Sequence, residues 1–469
     1  FAFVAVPFLF SCFLLGYSLH GTRAGLILAL SMAFSFDVLP YLAITQTDAA
    51  VSLGFMLTLT AAIQFLRQPT LVRASFLGVG FGIALATKFS GLLLAPAVAF
   101  VLLAARGHNY NWWRRVAACC VVLALSLTVL RGTYTLANWN YDSAIGRAAI
   151  SAYCQNQSML RVDEHMRPYE KTLLRIERID PMTAQWLTGL LGLAIQNNMG
   201  GVWPSYVFGQ VTAHGLWWFF PVLILMRTSL ALLTASVCGL LGWIRRYRFG
   251  QASSDPYRRH IVVLLALATG TYMLAALSTS YNMGVRHLLP ILPLLSLPAV
   301  LWAARRRVTG CILVGSLLGE ALVLSPLWMS ATNTWWLGNS NPTQCAIIAD
   351  CEYKQNFFTL VDAAHRRGLA SLHIAFPLLT DAEAEIYFPG MVRVNAGSPV
   401  TPGWHAVSVF IEDFLPAVTS SNKEPISDNN ILAELDKAWK FYRDELRRQG
   451  EYRGYIAGTF RLYYVPLRQ

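Results

Sequence analysis

A charge at membrane depth is costly and tends to mark a functional position. The charged and polar residues at the edges of long apolar runs are therefore read first. Asp48 stands in AITQTDAAVSLGF, where a polar loop enters an apolar run. An Asp there either caps free helix amides or faces a cavity, where a carboxylate could bind a metal or orient a sugar hydroxyl. Asp37 shares that loop and is a second such carboxylate. Lys88 stands in ALATKFSGLLLAPA, between two apolar runs. Its ammonium either snorkels to the headgroups or binds a phosphate. Arg286 and His287 stand in STSYNMGVRHLLPILPLL, just after Tyr281 and Asn282. The Arg fork suits two phosphate oxygens, with snorkelling again the alternative. Pro290, Pro293 and Pro298 interrupt the run that follows, and such breaks are tolerated where they line a cavity. His214 lies in PSYVFGQVTAHGLWWFFP, beside the aromatic cluster Trp217, Trp218, Phe219 and Phe220. It either reaches a sugar or phosphate or is a structural histidine behind an interfacial aromatic belt.

These residues need elements to hold them, and composition indicates which. The chain has 469 residues, 55% hydrophobic and 13% charged. Soluble domains carry about 25% charged residues. Ten apolar runs have the character of transmembrane helices: 1–17, 22–36, 49–66, 74–87, 89–105, 116–130, 217–244, 261–279, 287–304 and 310–327. The 217–244 run contains Pro221 and Arg227 and reads as an interfacial segment followed by a span. Lys and Arg set orientation through the short loops. Arg23, Arg67, Arg73, Arg106, Arg114, Arg115, Arg245, Arg246, Arg248, Arg258, Arg259 and Arg305 to Arg307 all fall in one alternate set of loops, which is then cytoplasmic. The 37–48, 131–216 and 280–286 loops and the C-terminal region share the opposite side. Lys88 and Arg286 are exceptions to this bias. An N-terminus on the outer side also predicts at least one span upstream of Phe1.

The 131–216 loop mixes apolar and basic residues at helical spacing, as interfacial helices do. From residue 330 short apolar runs (CAIIADC, SLHIAF, HAVSVFI, YIAGTFRLYYV) alternate with polar helical stretches (NFFTLVDAAHRRG, NILAELDKAWKFYRDELRRQ). The expected architecture is an α-helical polytopic membrane domain over 1–329 followed by a water-facing α/β domain over 330–469. Residues 1–329 hold 24 Lys and Arg against 10 Asp and Glu, and the rest hold 13 against 15. The basic excess thus belongs to the membrane part, and no basic face on a soluble domain suggests nucleic acid. Cys12, Cys119, Cys120, Cys238 and Cys311 lie in apolar runs, where Cys acts as a small hydrophobe. Cys345 and Cys351 could pair if the tail meets an oxidising compartment. No P-loop, GxGxxG, HExxH or GxSxG motif occurs, which argues against a nucleotide-linked donor.

In TQTDAAVSLGF, GIALATKFSGLLLAPA, SYVFGQVTAHGLWWFFP and GVRHLLPILPLL, in that order, the chain resembles bacterial GT-C superfamily glycosyltransferases. The resemblance is to the polyprenyl-phosphate-dependent group that includes protein O-mannosyltransferases and lipid A aminoarabinose transferases. TPGWHAVSV and FRLYYV resemble the tail of one bacterial subgroup. Relatives often carry an acidic-Trp-Gly-Gln-Asp segment where this chain reads CEYKQNFF, keeping only Gln355. The resemblance implies inverting transfer of a sugar from a polyprenyl phosphate to a protein, lipid or glycan hydroxyl. The site would lie on the outer face of a bacterial inner membrane. Lys88 and Arg286 would bind the donor phosphate, and Asp48 is the catalytic candidate. Asp37, His214, Tyr281, Asn282 and His287 would contact sugar or acceptor. The general base would lie in a loop upstream of Phe1. A divalent metal is the only cofactor raised, because metal use varies in the superfamily. The rival readings are a transporter or flippase for a lipid-linked sugar and an inactive binding or assembly subunit.

Overall fold

The computed structural model describes residues 2–43, 47–107, 110–155, 163–198, 205–207, 210–212, 215–248, 257–280, 282, 284–329, 331–333, 356–420 and 431–467. Two compact units emerge. The first comprises 1–199, 228–279 and 285–323, and the second 200–227, 280–284 and 324–469.

The first unit is helical. Its elements are α1 (Ala2–Phe34), α2 (Leu39–Ala43), α3 (Thr47–Arg67), α4 (Leu71–Thr87), the short 3-10 helix Phe89–Leu94, α5 (Ala95–Ala104) and α6 (Trp112–Ala137). After α7 (Ser143–Gln155), α8 (Asp163–Ile179) and α9 (Pro181–Asn198), the second unit contributes β1 (Ser205–Val207), β2 (Gln210–Thr212) and α10 (Phe219–Arg227). The first unit resumes with α11 (Leu230–Arg248), α12 (Arg258–Ser278), the 3-10 turn Val285–Leu288, α13 (Leu292–Ala303) and α14 (Arg307–Val323). Among the described residues, four helical runs are long and apolar enough to cross a membrane: 3–34, α3, α6 and α12. The bent pair formed by α10 and α11 makes a fifth if taken as one span. The runs expected at 74–87, 89–105 and 287–304 form shorter apolar helices, because Lys88 and the prolines after Arg286 end or delay them.

The first run is not one straight helix. His20 and Gly21 leave helical geometry, with Gly21 at φ 76°. A Cβ on Gly16 would stand 2.6 Å from the Ala24 carbonyl oxygen, and one on Gly25 would stand 2.7 Å from that of Phe13. Residues eight apart in a straight helix are separated by about 12 Å. The chain therefore doubles back at His20–Gly21, giving two antiparallel helices over 2–19 and 22–34, close to the two runs expected from sequence. Only glycine permits so close an approach. The same device recurs where α3 packs on α4 and α4 on α6. Gly54 abuts Ala84, Gly80 abuts Thr58, and Gly78 and Gly82 abut Val122 and Ser126. Small residues at the contact let backbones approach where apolar surroundings offer no hydrophobic drive.

The helix α6 keeps an apolar side unburied: Leu123 is 61% and Leu136 79% exposed. Trp112 and Trp113 stand at one end and Trp139 just beyond the other, all exposed. At 1.5 Å per residue these tryptophans are about 40 Å apart, close to the interface-to-interface thickness of a bilayer. Within the 131–216 loop, α7, α8 and α9 pack on one another and bury Ile150, Cys154, Met166, Leu173 and Ala184. Glu177 of α8 is buried in this cluster, taking bonds from Tyr141 (3.1 Å) and Arg147 (3.2 Å).

The C-terminal part of the second unit is a three-layer α/β fold. Strands β3 (Leu372–Ala375), β4 (Met391–Arg393), β5 (Gly403–Ser408), β6 (Glu451–Ile456) and β7 (Phe460–Val465) form one sheet in the order β4-β3-β5-β7-β6. The first three are mutually parallel, and β7 runs antiparallel to both β5 and β6. Period-two alternation sorts the faces. Ile374, Ala406, Phe460 and Leu462 pack with α15 (Phe357–Arg366), whereas Ala375, Val407, Tyr463 and Val465 pack with α18 (Ile431–Gln449). The helices α16 (Asp381–Tyr387) and α17 (Leu415–Ser420) complete the layers. The hairpin between β6 and β7 turns on Ala457 (φ 54°) and Gly458 (φ 77°), the left-handed pair a tight hairpin requires. The runs SLHIAF, HAVSVFI and YIAGTFRLYYV thus supply strands, although Phe410–Phe414 leaves the strand as a π-turn. CAIIADC, Cys345 and Cys351 lie outside the described residues.

Candidate functional site

Helix geometry brings Asp48 and Lys88 together. The helices α3 and α4 are antiparallel neighbours joined by a three-residue turn at 68–70. Asp48 lies 19 residues before the end of α3 and Lys88 lies 17 after the start of α4. At 1.5 Å per residue both stand about 25–29 Å from the turn, so they reach the same level. The Lys88 ammonium and the Asp48 carboxylate form an ion pair, with side chains 24% and 8% exposed. Each also suits its helix end. Asp48 is in the first turn of α3 and Lys88 caps the C-terminus of α4, so both complement the macrodipole. The chain after Lys88 folds back so tightly that a Cβ at Gly91 would lie 2.3 Å from the Ala84 carbonyl oxygen.

The second cation arrives from the other end of the sequence. Arg286 and His287 occupy the short turn Val285–Leu288 between α12 and α13. The hydroxyl of Tyr272, on α12, donates to the His287 carbonyl. The Tyr272 ring meets Phe55 of α3 edge-on at 5.5 Å. The charges of Lys88 and Arg286 both act on the His287 ring, and that of Asp48 acts on Tyr272. Asp48, Lys88, Arg286 and His287 therefore gather at one end of the first unit. The helix α9 closes on the same end. Trp186 Nε1–H donates to the Leu85 carbonyl at 3.2 Å, its ring meets Phe89 at 5.8 Å, and Gly189 lies against the Phe89 ring. Thr279 donates to Asn197 Oδ1 at 2.6 Å. Trp186, Phe89 and Tyr272 escaped the sequence reading because apolar aromatics inside helices carry no distinguishing pattern.

Of the other residues named from sequence, Asp37 and Asn282 fall elsewhere. Asp37 is buried, accepts from Ser35 Oγ, and lies within electrostatic reach of Glu320. It is not part of the Asp48–Lys88 pair. Asn282 is buried within the second unit and donates to the Leu216 carbonyl at 3.5 Å. His214 and Tyr281 lie outside the described residues. A divalent ion takes a shell of several oxygen ligands, commonly carboxylates. Asp48 instead is held by an ammonium, and among the described residues no three His, Cys, Asp or Glu side chains converge. No step below is routed through a metal.

The tail carries its own polar interior. Glu412 is buried and accepts from Tyr463 (2.9 Å) and Arg447 (2.8 Å). Burial pushes the neighbouring Asp413 carboxyl up, while its partner Arg461 opposes that shift. His405 on β5 stacks on His373 of β3 at 4.6 Å. Its Nε2 lies 2.7 Å from the Thr401 carbonyl and its Nδ1 2.7 Å from the Tyr442 hydroxyl. A carbonyl only accepts, so Nε2 carries the proton and Tyr442 donates to Nδ1, which leaves the ring neutral. Burial lowers its pKa to about 4, with His373 adding to the shift against the Thr401 bond.

The unfolded chain then takes up this proton first, near pH 6.5. Stability conferred by neutral His405 is complete above that pH and is lost as pH falls toward 4. Between pH 7 and 4.5 the tail is expected to lose about 2 kcal/mol. Amide protection of β5 in the full chain, corrected for intrinsic exchange rates, measures this, with His405→Gln as the pH-insensitive control. A wild-type loss no larger than the control's would show that His405 is not the titrating group.

Comparison with known protein families finds no matching family, and comparison with curated proteins finds no match.

Proposed function

We propose that this chain is an integral membrane glycosyltransferase of the GT-C type, which moves a sugar from a polyprenyl phosphate to an acceptor hydroxyl on the non-cytoplasmic face. The observation that carries the reading is the gathering of Lys88, paired with Asp48, and the Arg286–His287 turn at one end of the helical unit. Two cations from distant stretches, set at helix ends behind an aromatic cover, suit an anion presented from the lipid surface. Residues 2–34, α3, α4, α6 and α12 would span the bilayer, with the tryptophans flanking α6 at its two interfaces. The arginine-rich short loops would face the cytoplasm.

In this reading the acceptor hydroxyl attacks the anomeric carbon as the bond to the phosphate oxygen breaks, and the phosphate leaves with the electron pair. Arg286 forks onto two phosphate oxygens while Lys88 supplies a point charge, so both stabilise the charge that develops on the leaving group. Asp48 holds Lys88 in place. The acceptor proton passes to a general base. Trp186 and Phe89 keep water from the phosphate.

The test is reconstitution in vesicles with a panel of polyprenyl-monophosphate sugars, scoring release of polyprenyl phosphate and sugar transfer. Cysteine reporters near Arg258 and in the tail, labelled from outside intact cells, test sidedness. Transfer with outside labelling of the tail alone is the expected result. Absence of both release and polyprenyl-phosphate binding would overturn the reading.

A further inference from the structure

We infer that Tyr272 is a positioning residue that sets the placement of the Arg286 turn relative to Lys88, an assignment resting on the polyprenyl-phosphate reading above. Both cations sit in or beside short 3-10 segments, Phe89–Leu94 and Val285–Leu288. Such segments are short of strong hydrogen bonds of their own. Within them the Gly91 amide donates to the Lys88 carbonyl at 2.9 Å, and the Leu289 amide to the Arg286 carbonyl at 3.1 Å. Their mutual placement must come from outside. Tyr272, 5% exposed, is where three elements meet. Its hydroxyl bonds the His287 carbonyl, one residue past Arg286. The Phe89–Leu94 segment, which begins one residue past Lys88, packs on the same helix α12. The Tyr272 ring abuts Phe55, seven residues past Asp48 on α3. One rigid ring with two rotatable bonds thus links the elements that carry the carboxylate and the arginine, on the helix against which the segment after the lysine packs. A phenol does this where a Phe could only pack, because the His287 carbonyl needs a donor.

The experiment uses the full chain in nanodiscs, with undecaprenyl phosphate as the probe. Tyr272→Phe keeps the ring and removes the hydroxyl. Losing one net hydrogen bond is expected to weaken probe binding up to about tenfold. The thermal midpoint should stay near wild type. Amide exchange over 286–289 should rise while exchange in α12 itself does not. In an Arg286→Ala background Tyr272→Phe should cost no further affinity, since there is then no fork to position. Equal affinity loss in both backgrounds, or unchanged exchange over 286–289, would overturn the assignment and leave Tyr272 a packing residue. If the wild type neither binds undecaprenyl phosphate nor releases a polyprenyl phosphate from any donor of the panel, the glycosyltransferase reading fails. The exchange measurement then decides separately whether Tyr272 holds the turn.

Discussion

Lys88→Ala is expected to destabilise the detergent-solubilised chain by about 3–5 kcal/mol, the cost of leaving one partner of a buried ion pair uncompensated. Asp48 is the partner left behind, and its carboxylate is only 8% exposed among the helices α3 and α4. Asp48→Asn should cost less, because the Lys88 side chain is 24% exposed and its long stem can carry the ammonium toward water. The double variant Asp48→Asn/Lys88→Ala should be more stable than Lys88→Ala alone, since no charge is then stranded. It should nevertheless fail to bind polyprenyl phosphate. Thermal unfolding of the four proteins, beside a binding assay with undecaprenyl phosphate, separates the roles. A Lys88→Ala protein that melts like wild type would mean that the pair is solvated and that Lys88 snorkels.

Arg286→Lys is the second large effect. It keeps the charge and removes the planar fork, so turnover should fall by about 100-fold if two phosphate oxygens are gripped at once. Arg286→Ala should weaken donor binding by roughly 1.5–3 kcal/mol, the range for a hydrogen bond to a charged group. Lys88→Arg offers the contrast. A guanidinium can still pair with Asp48, so this variant should retain the fold and much of the affinity. Donor affinity and turnover, normalised to the amount of folded protein, decide the matter. Wild-type turnover in Arg286→Lys together with wild-type affinity in Arg286→Ala would remove Arg286 from the site.

The two cations are held differently. Lys88 is fixed by a carboxylate and a helix terminus, both legible as charges in the sequence. Arg286 is carried on a turn whose support comes from α12. Aromatic residues at helix-compatible spacing look alike whether they face lipid, a core or a site. Trp186 and Tyr272 were therefore silent in the sequence even though both donate to backbone carbonyls near Lys88 and Arg286. Asp37 shows the converse. Its type and its loop marked it together with Asp48, yet side-chain direction sends it toward Ser35 and Glu320 instead.

Local chemistry and periodicity determined much by themselves. Apolar run length set the helices. The His20–Gly21 break separated the first two, because only glycine tolerates φ 76° and such close approach. Period-two alternation set the faces of β3, β5 and β7, and nearly equal residue counts on either side of the 68–70 turn placed Asp48 opposite Lys88. Tertiary structure alone decided the rest. The amphipathic pattern of α8 is the same whether its apolar face meets a membrane or other helices, and α7 and α9 cover it here. Arg286 lies 198 positions from Lys88, a separation across which neither periodicity nor turn chemistry acts. Only the packing of α12 beside α3, with the Tyr272 ring against Phe55, determines that the two cations act on the same histidine.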